Sequence, residues 1–403
     1  MSAQDVAEGG CAKSRIMSLE ECVDSAFSRN PAVNAAALEV EKSRILKGTA
    51  FNPPMTEVTL KQETTGGGGP ENGVFFSQEF DFPTSYVARH RLLSAQNELQ
   101  ESRFNIIAAD IEREVEALYF EMIYQGELLR LNAELGDIYN EFCRVSAVRL
   151  EQGDAGQLEV MNAQRVREKN EMERRSLLIR YEANKLELGR LAGCEGGVEP
   201  TPTDLTPLSE TLKFYEPFDY DRTVMGKESL MQVRAADREV TLAKNEFLPA
   251  IRLGATTQAL IKGFNPYNID RQRFMPGNFM GFEVGITVPL FFGAASAKLK
   301  AANTERKISL LNRETSESAA KMNDARLNAE LEALSSRLEY YREKALPRAN
   351  EIKRIAAVSY ELGDIDYLEY IASLETAYEL YNEYATCINE INQNVIKLKF
   401  LRR

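Results

Sequence analysis

The apolar positions of this chain recur with two different periods. In most segments they lie three and four residues apart, which is the spacing of one helical face. In four short segments they alternate with polar residues, which is typical of half-buried strands. The segments come in the same order in both halves: helix, two strands, a very long helix, a glycine corner and a return helix. We therefore predict a mostly α fold with two structural repeats.

The boundaries of these repeats follow from helix starts and helix breakers. Ser18 and Glu21 have capping-box spacing, which predicts the first helix start. Two glycines and four prolines between residues 196 and 217 predict a linker, because neither residue suits a helix interior. We predict a flexible N-terminal segment at 1–17, a first repeat at 18–195, an inter-repeat linker at 196–217 and a second repeat at 218–403.

Each repeat is predicted to contain one pair of strands and one helix of unusual length. The strands are expected at about 55–65, 73–82, 250–261 and 279–290. The first long helix, from Thr84 to Leu150, spans about 67 residues and about 100 Å at 1.5 Å per residue. The second covers about 294–361, and Pro347 should kink it. Because helices of this length cannot wrap a globular core, we expect them to pair as coiled coils.

The last strand alternates most regularly and predicts a two-faced sheet. One face carries glycine, Glu283 and Thr287, and the other carries Met280, Phe282, Val284, Ile286 and Val288. Four strands do not close a barrel, which needs about eight or more. The strand pattern alone leaves two alternatives: a barrel completed by several chains, with lipid outside, or a sheet whose apolar face packs on helices.

The two corners have almost the same sequence. AVRLEQGDAGQLE at 147–159 and AVSYELGDIDYLE at 357–369 share seven of thirteen positions and lie 210 residues apart. A turn between antiparallel helices needs a left-handed residue, which Gly153 and Gly363 supply without strain. An acidic residue, Glu159 or Glu369, follows six residues after each corner glycine. An exposed glutamate on a helix has an ordinary explanation as a solvated side chain.

Composition excludes several classes of function. The net charge of −12, without a concentrated basic run, argues against binding to nucleic acid. The chain has one histidine and five scattered cysteines without CxxC spacing, so we expect no metal site and no cofactor. No nucleophile–base pair is apparent, so we expect no enzymatic activity. The N-terminal residues contain no apolar signal segment, so we expect either a cytosolic protein or one whose export signal has been removed.

From residue 18 to about residue 400 the chain resembles the TolC-type outer-membrane efflux proteins. The resemblance lies in the order and spacing of short motifs in the two repeats, which are Leu19…Ala26…Asn30-Pro31, Phe247-Leu248-Pro249, Val288-Pro289-Leu290-Phe291-Phe292-Gly293, Leu346-Pro347-Arg348-Ala349, Tyr360-Glu361-Leu362-Gly363, and Leu368 with its helix.

The resemblance implies a homotrimer in the bacterial outer membrane. Four strands per chain would form a twelve-stranded barrel in outer-membrane lipid, continued by a helical coiled-coil barrel across the periplasm. Such proteins are the exit ducts of tripartite efflux or secretion systems, with a periplasmic adaptor and an inner-membrane transporter as partners. The corners Gly153, Asp154, Gly363 and Asp364 would dock the adaptor. Glu369, and less strongly Glu159, would form a periplasmic gate.

Two alternatives stay open from the sequence. The chain could be a soluble oligomeric coiled-coil scaffold, which would need no signal peptide but would leave the strand pairs unexplained. Cys11 follows two glycines, and some relatives of the resembled family carry a lipid near the N-terminus. Because no lipoprotein signal precedes Cys11, we expect it to be unmodified. The exported substrate is not defined by any motif.

Overall fold

The computed structural model describes residues 15–64, 70–153, 156–208, 217–258 and 280–403. It is mostly helical, and each half contains the predicted order of elements. The first half comprises β1 (Arg15–Met17), α1 (Leu19–Arg29), α2 (Pro31–Leu46), β2 (Glu57–Thr64), β3 (Pro70–Phe80), α3 (Pro83–Gln152) and α4 (Gln157–Leu191). The second half comprises β4 (Val198–Pro200), α5 (Val224–Asn245), β5 (Ala250–Gln258), β6 (Met280–Thr287), α6 (Gly293–Tyr340), α7 (Leu346–Leu362) and α8 (Tyr367–Arg402).

The predicted helix boundaries are confirmed within a few residues where the sequence carries a physical stop or start. Ser18 caps α1, and Ser18 and Glu21 bond each other's backbone amides at 3.2 and 2.8 Å. Asn30 ends α1, and Pro31 begins α2. The first long helix extends over 70 residues, from Pro83 to Gln152. A proline suits the first turn of a helix because backbone N–H groups there have no intrahelical acceptor, so Pro83 loses no hydrogen bond.

The second long helix is interrupted close to the predicted kink. A π-helical segment, Tyr341–Ala345, separates α6 from α7, and Pro347 lies in the first turn of α7. A proline inside a helix lacks an amide donor and collides with the carbonyl four residues earlier. For Pro347 that carbonyl belongs to Glu343, which lies inside the π segment. The wider π turn therefore accommodates the proline without ending the helix.

Strands β2, β3, β5 and β6 form one antiparallel sheet in that order. The four strands lie at the predicted positions: β3 begins three residues earlier and ends two residues earlier than predicted, and the other three strands are shorter than predicted. Residues 65, 259–261 and 279 lie outside the described part of the chain. Strand β6 ends at Thr287, so Val288 follows the strand and our assignment of it to a strand is wrong. Pro289 explains this end, because it cannot donate to a ladder and restricts the residue before it.

A second, small sheet was not predicted. Strand β1 pairs in parallel with β4, with Ile16 opposite Glu199. Arg15–Met17 therefore belongs to a paired strand, although we had placed it in a flexible segment, and β4 lies inside the segment predicted as a linker. Strands of three residues are too short to show a period of two in a sequence.

The chain divides into two compact units that do not follow the two halves. The first comprises residues 1–37, 104–226 and 316–403, and the second comprises 38–103 and 227–315. The first unit contains three buried clusters, centred on Met122 and Leu188, on Ile388 and Ile391, and on Phe142 and Tyr367. The second contains the four-stranded sheet and a small cluster around Val240 and Ala302. The repeat boundaries predicted from the sequence stay a prediction.

Candidate functional site

Both predicted corner glycines have the left-handed conformation that the hairpins require. The φ angles are 80° at Gly153 and 77° at Gly363. At the second corner, the amides of Gly363 and Asp364 donate to the carbonyls of Tyr360 and Ser359 at 3.1 and 2.8 Å, which closes the end of α7. Any other residue would be strained at either corner, although a Cβ atom there would meet no atom within 4 Å.

The helices that leave the two corners are capped differently. Asp366 caps α8 by accepting the Glu369 amide at 2.8 Å. Gly156 occupies the equivalent position before α4 and offers no side-chain cap. Asp154, the acidic residue of the first predicted docking corner, lies outside the described residues. The second corner is therefore the one whose helix start is fixed by side-chain bonding.

The two predicted gate residues lie in different electrostatic surroundings. Glu159 accepts a hydrogen bond from Arg149 Nη1 at 2.8 Å, and its side chain is only 15% exposed. Glu369 is exposed, and none of the ion pairs found among the described residues includes it. The sequence explains the difference, because the position equivalent to Arg149 in the second repeat is Ser359. The carboxylate charge of Glu159 is locally balanced, whereas that of Glu369 is not.

An aromatic cluster that the sequence reading missed joins the two hairpins. The rings of Phe142 in α3 and Tyr367 in α8 are 4.9 Å apart, and Tyr360 stacks on Tyr370 at 5.0 Å. Burial is the main cause that raises the pKa of Tyr367 above its ordinary value. The Tyr139 hydroxyl, in the same cluster, donates to Glu375 at 2.6 Å. Two aromatic pairs with i, i+3 spacing, Tyr139 with Phe142 and Tyr367 with Tyr370, are the signal that the sequence offers for this cluster.

The aromatic contacts also show that the corners are staggered. Phe142 lies eleven residues before Gly153, whereas its partner Tyr367 lies only four residues after Gly363. At 1.5 Å per residue, the first hairpin extends about 10 Å beyond the second. Exposed apolar side chains accompany both ends, with Leu158 and Leu362 each 72% exposed. Both corners therefore combine a tight turn with uncovered apolar surface.

A cavity of about 720 Å³ lies further along the same helices. Its charged lining comprises the carboxylates of Glu173, Glu375, Glu379 and Glu383 and the cations of Lys169 and Arg337. Three tyrosines complete much of the wall, and one of them, Tyr341, belongs to the π segment. The side chains of this cavity carry more negative than positive charge.

One face of the four-stranded sheet is mostly apolar, and Gln78 and Thr257 are polar positions within it. Val284 lies opposite Leu253, and Ile286 lies opposite Ile251. Because residues directly opposite in an antiparallel pair share a face, this surface continues through β3 to β2, where Phe76 lies opposite Val58. In the predicted lipid-facing set, Phe282, Val284 and Ile286 are 80%, 76% and 71% exposed. Met280 is in register with Thr257, and Val288 is exposed beyond the strand end.

The opposite face of the sheet carries polar and small side chains. Glu57 lies opposite Ser77, and Gly254 lies opposite Glu283. Arg252 pairs with Glu79 at 3.5 Å on this face. Phe75 departs from the pattern, and the ammonium of Lys61 lies 5.2 Å from the centre of its ring. The sheet thus separates an uncovered apolar surface from a polar one.

The described residues contain no group of three or more His, Cys, Asp or Glu side chains suited to hold a metal ion. Over the same residues, no helix combines the length and the hydropathy needed to cross a membrane.

Residues 227–401 match the model of a family described as outer membrane efflux protein. No curated protein matches the sequence significantly. Over 95–96% of its length the chain is similar to solved structures of outer-membrane proteins, among them OprN, VceC and MtrE. The channel OprN has a TM-score of 0.79 at 15% identity, covering 96% of this chain and 92% of that one. VceC from Vibrio cholerae has a TM-score of 0.74 at 15% identity and 95% coverage of both chains. MtrE from Neisseria gonorrhoeae, in its open state, has a TM-score of 0.74 at 17% identity, with coverages of 95% and 88%.

Proposed function

We propose that this chain, whose residues 227–401 match the model of the outer membrane efflux protein family, forms the outer-membrane exit duct of a tripartite efflux or secretion system. The observation that carries the proposal is the four-stranded sheet with one uncovered apolar face. A face of exposed phenylalanine, valine and isoleucine is costly in water and suits lipid. The family consists of channels rather than enzymes, and the duct conducts its substrates passively.

A trimeric twelve-stranded barrel accounts for the sheet. Within the described part of the chain, β2 and β6 each pair on one side only. Open edges with exposed apolar residues such as Leu60 and Val284 would associate without control in water. Pairing β6 of one chain with β2 of the next satisfies both edges, and the antiparallel alternation continues through this junction. Three copies supply twelve strands and leave no edge.

The helical hairpins form the periplasmic part of the proposed duct. Exposed apolar residues along these helices, among them Met172, Ile179 and Ile355, suit contacts between copies of the chain in a helical barrel. The net negative lining of the 720 Å³ cavity is consistent with a water-filled path rather than with a packed core.

The corners at Gly153 and Gly363 are the proposed docking points for the periplasmic adaptor protein. Their support is the open space around both glycines and the exposed Leu158 and Leu362 beside them. Three chains with two staggered corners each would present six docking points at two heights. Substrates from the inner-membrane transporter would enter the duct at the end that carries these corners.

Glu369 is the proposed acidic gate residue. Three copies near a threefold axis would repel each other and attract cations. The argument applies more weakly to Glu159, because Arg149 lies 2.8 Å from its carboxylate. The gate proposal therefore rests on Glu369, for which the described part of the chain supplies no ion-pair partner.

Fractionation of a cell that expresses the chain with its export signal tests the proposed function. We expect the protein in the outer membrane, released only by detergent and migrating as a heat-modifiable trimer. Recovery in the soluble fraction without detergent would refute the duct and favour a soluble coiled-coil scaffold. The comparisons give that alternative no support.

A further inference from the structure

Two cysteines that the duct does not use belong to the same hydrophobic cluster, where α1 packs against the end of α4. Cys22 is completely buried in the cluster that contains Leu188, Leu191 and Ala192, and Cys194 packs against the same cluster. The sulfurs are not bonded to each other in the structure. The two residues are 172 positions apart in the chain, so only the fold brings them together.

The surrounding contacts fix the two segments relative to each other. Asn30 Nδ2 donates to the Leu191 carbonyl at 3.0 Å, and Ser25 Oγ donates to the Ala192 carbonyl at 2.7 Å. Further on, the Arg15 amide donates to the Gly197 carbonyl at 3.0 Å. The hydrogen-bond partners of residues 191 to 197 therefore follow in the reverse order along the chain, from Asn30 to Arg15. Cys194 falls midway along this path, and its charge is, after burial, the second cause that raises the pKa of the Cys22 thiol, so the two side chains lie near each other.

The backbone next to Cys194 lies so close to the end of α1 that residue 193 must be a glycine. Gly193 has a φ of 68°, and a Cβ atom there would collide with Arg29. The Cys194 amide is also fixed, because it donates to the Gly189 carbonyl at 2.8 Å. Both cysteines thus project from backbone segments that hydrogen bonds hold in place.

We propose that Cys22 and Cys194 are a redox pair that forms an intramolecular disulfide, joining the first helix to the end of the first repeat. The proposal rests on the proposed function for its setting, because an exported protein meets disulfide donors outside the cytoplasm. The bond would close a loop that contains β2, β3, the long helix α3 and the return helix α4. A closed loop of this size restricts the unfolded chain.

The chemistry requires an external disulfide as the oxidant. Cys194 is the more accessible sulfur, so its thiolate attacks the donor disulfide and releases one donor thiol. The Cys22 thiol then loses its proton and attacks the Cys194 sulfur of the mixed disulfide, which releases the second donor thiol. Two protein thiols are oxidised and one donor disulfide is reduced. Burial raises the pKa of Cys22 to about 12, so we expect the second step to be fast only before α1 is fully packed.

The test is refolding of the reduced, unfolded chain in detergent with oxidised glutathione, followed by alkylation, tryptic digestion without reductant and mass spectrometry. We expect the peptide that contains Cys22 to be linked to the peptide that contains Cys194, and to be released by reductant. Cys143 and Cys387 should be recovered alkylated and serve as internal controls. Alkylation or glutathione adducts at both Cys22 and Cys194, or a link from Cys22 to Cys11, would overturn the pairing.

Two further measurements separate the disulfide from the proposed function. Reductant should lower the thermal midpoint of the wild type and of Cys143→Ser, but not that of Cys194→Ser; an equal response of all three would contradict a structural disulfide. Protein isolated from cells should carry the same linked peptides. If the link forms on refolding but not in cells, the proposed location is wrong while the pairing chemistry is supported.

Discussion

The unequal surroundings of Glu159 and Glu369 lead to a prediction about ion selectivity. Glu159 is bonded to Arg149 at 2.8 Å, so at a distance the pair acts as a dipole rather than as a charge. Glu369 is exposed and has no such partner among the described residues. We expect Glu369→Gln to weaken cation preference and block by multivalent cations. Glu159→Gln should act in the same direction, because it removes the carboxylate charge that balances the Arg149 guanidinium.

The size of the effect follows from Coulomb's law. A cation about 8 Å from a carboxylate in water gains about 0.5 kcal/mol, so three carboxylates of a trimeric gate give about 1.6 kcal/mol. Screening over one Debye length of about 8 Å reduces this sum to about 0.6 kcal/mol. The proposed gate should therefore concentrate monovalent cations by about 3- to 15-fold. Glu369→Gln should remove most of this preference while trimer assembly is unchanged.

The assay is the reversal potential of the closed channel in a planar bilayer under a salt gradient. A variant that introduces an ion-pair partner for Glu369 provides a second, independent test. Ser359 occupies the position equivalent to Arg149, so Ser359→Arg should supply Glu369 with the missing guanidinium and reduce selectivity as Glu369→Gln does. Ser359→Gln is the matched uncharged control. Unchanged selectivity in Glu369→Gln and in the double variant Glu159→Gln/Glu369→Gln would refute the gate role. Both glutamates would then be ordinary solvated residues on a helix surface.

Three further predictions concern the sheet, the corners and the long helix. Ile286→Arg should impair membrane assembly, since an arginine facing lipid costs up to about 2–4 kcal/mol, whereas Thr287→Arg on the opposite face should assemble; equal amounts of trimer in the outer membrane would refute the face assignment. Gly363→Val or Gly153→Val should abolish export but leave an inserted trimer, because a β-branched residue opposes the left-handed corner and obstructs docking; normal export by both variants would remove the docking role. Gly126→Ala, in the open helical surface of α3, should raise helix stability by about 0.5–1 kcal/mol, measured by circular dichroism on heating; destabilisation would indicate a contact at that surface.

The sequence predicted the features that depend on single residues with strong backbone preferences. Ser18 with Glu21 sets a helix start, and Gly363 sets a helix end at the left-handed angle. Alternation located the strands, because a period of two needs only about eight residues to be visible. These elements are local, and their physical causes can be read along the chain.

Features that depend on distant partners could not be read in the same way. The ion pair between Arg149 and Glu159 crosses a corner, so neither helical spacing rule connects its members. The ladder between β1 and β4 joins residues more than 180 positions apart. The aromatic contact of Phe142 with Tyr367 likewise needs the second hairpin beside the first. Such contacts require the tertiary fold, which periodicity does not supply.

Cross-linking between the two open sheet edges tests the trimeric barrel most directly. A cysteine at Thr59 in β2, combined in turn with one at Gly281, Glu283 or Gly285 in β6, places a pair on the polar face of both edge strands. In oxidised outer membranes, one of these combinations should give a covalent ladder that ends at the trimer, and each single variant should stay monomeric on denaturing gels. A ladder that continues beyond the trimer, or the absence of any link in all three combinations, would contradict the closed twelve-stranded barrel.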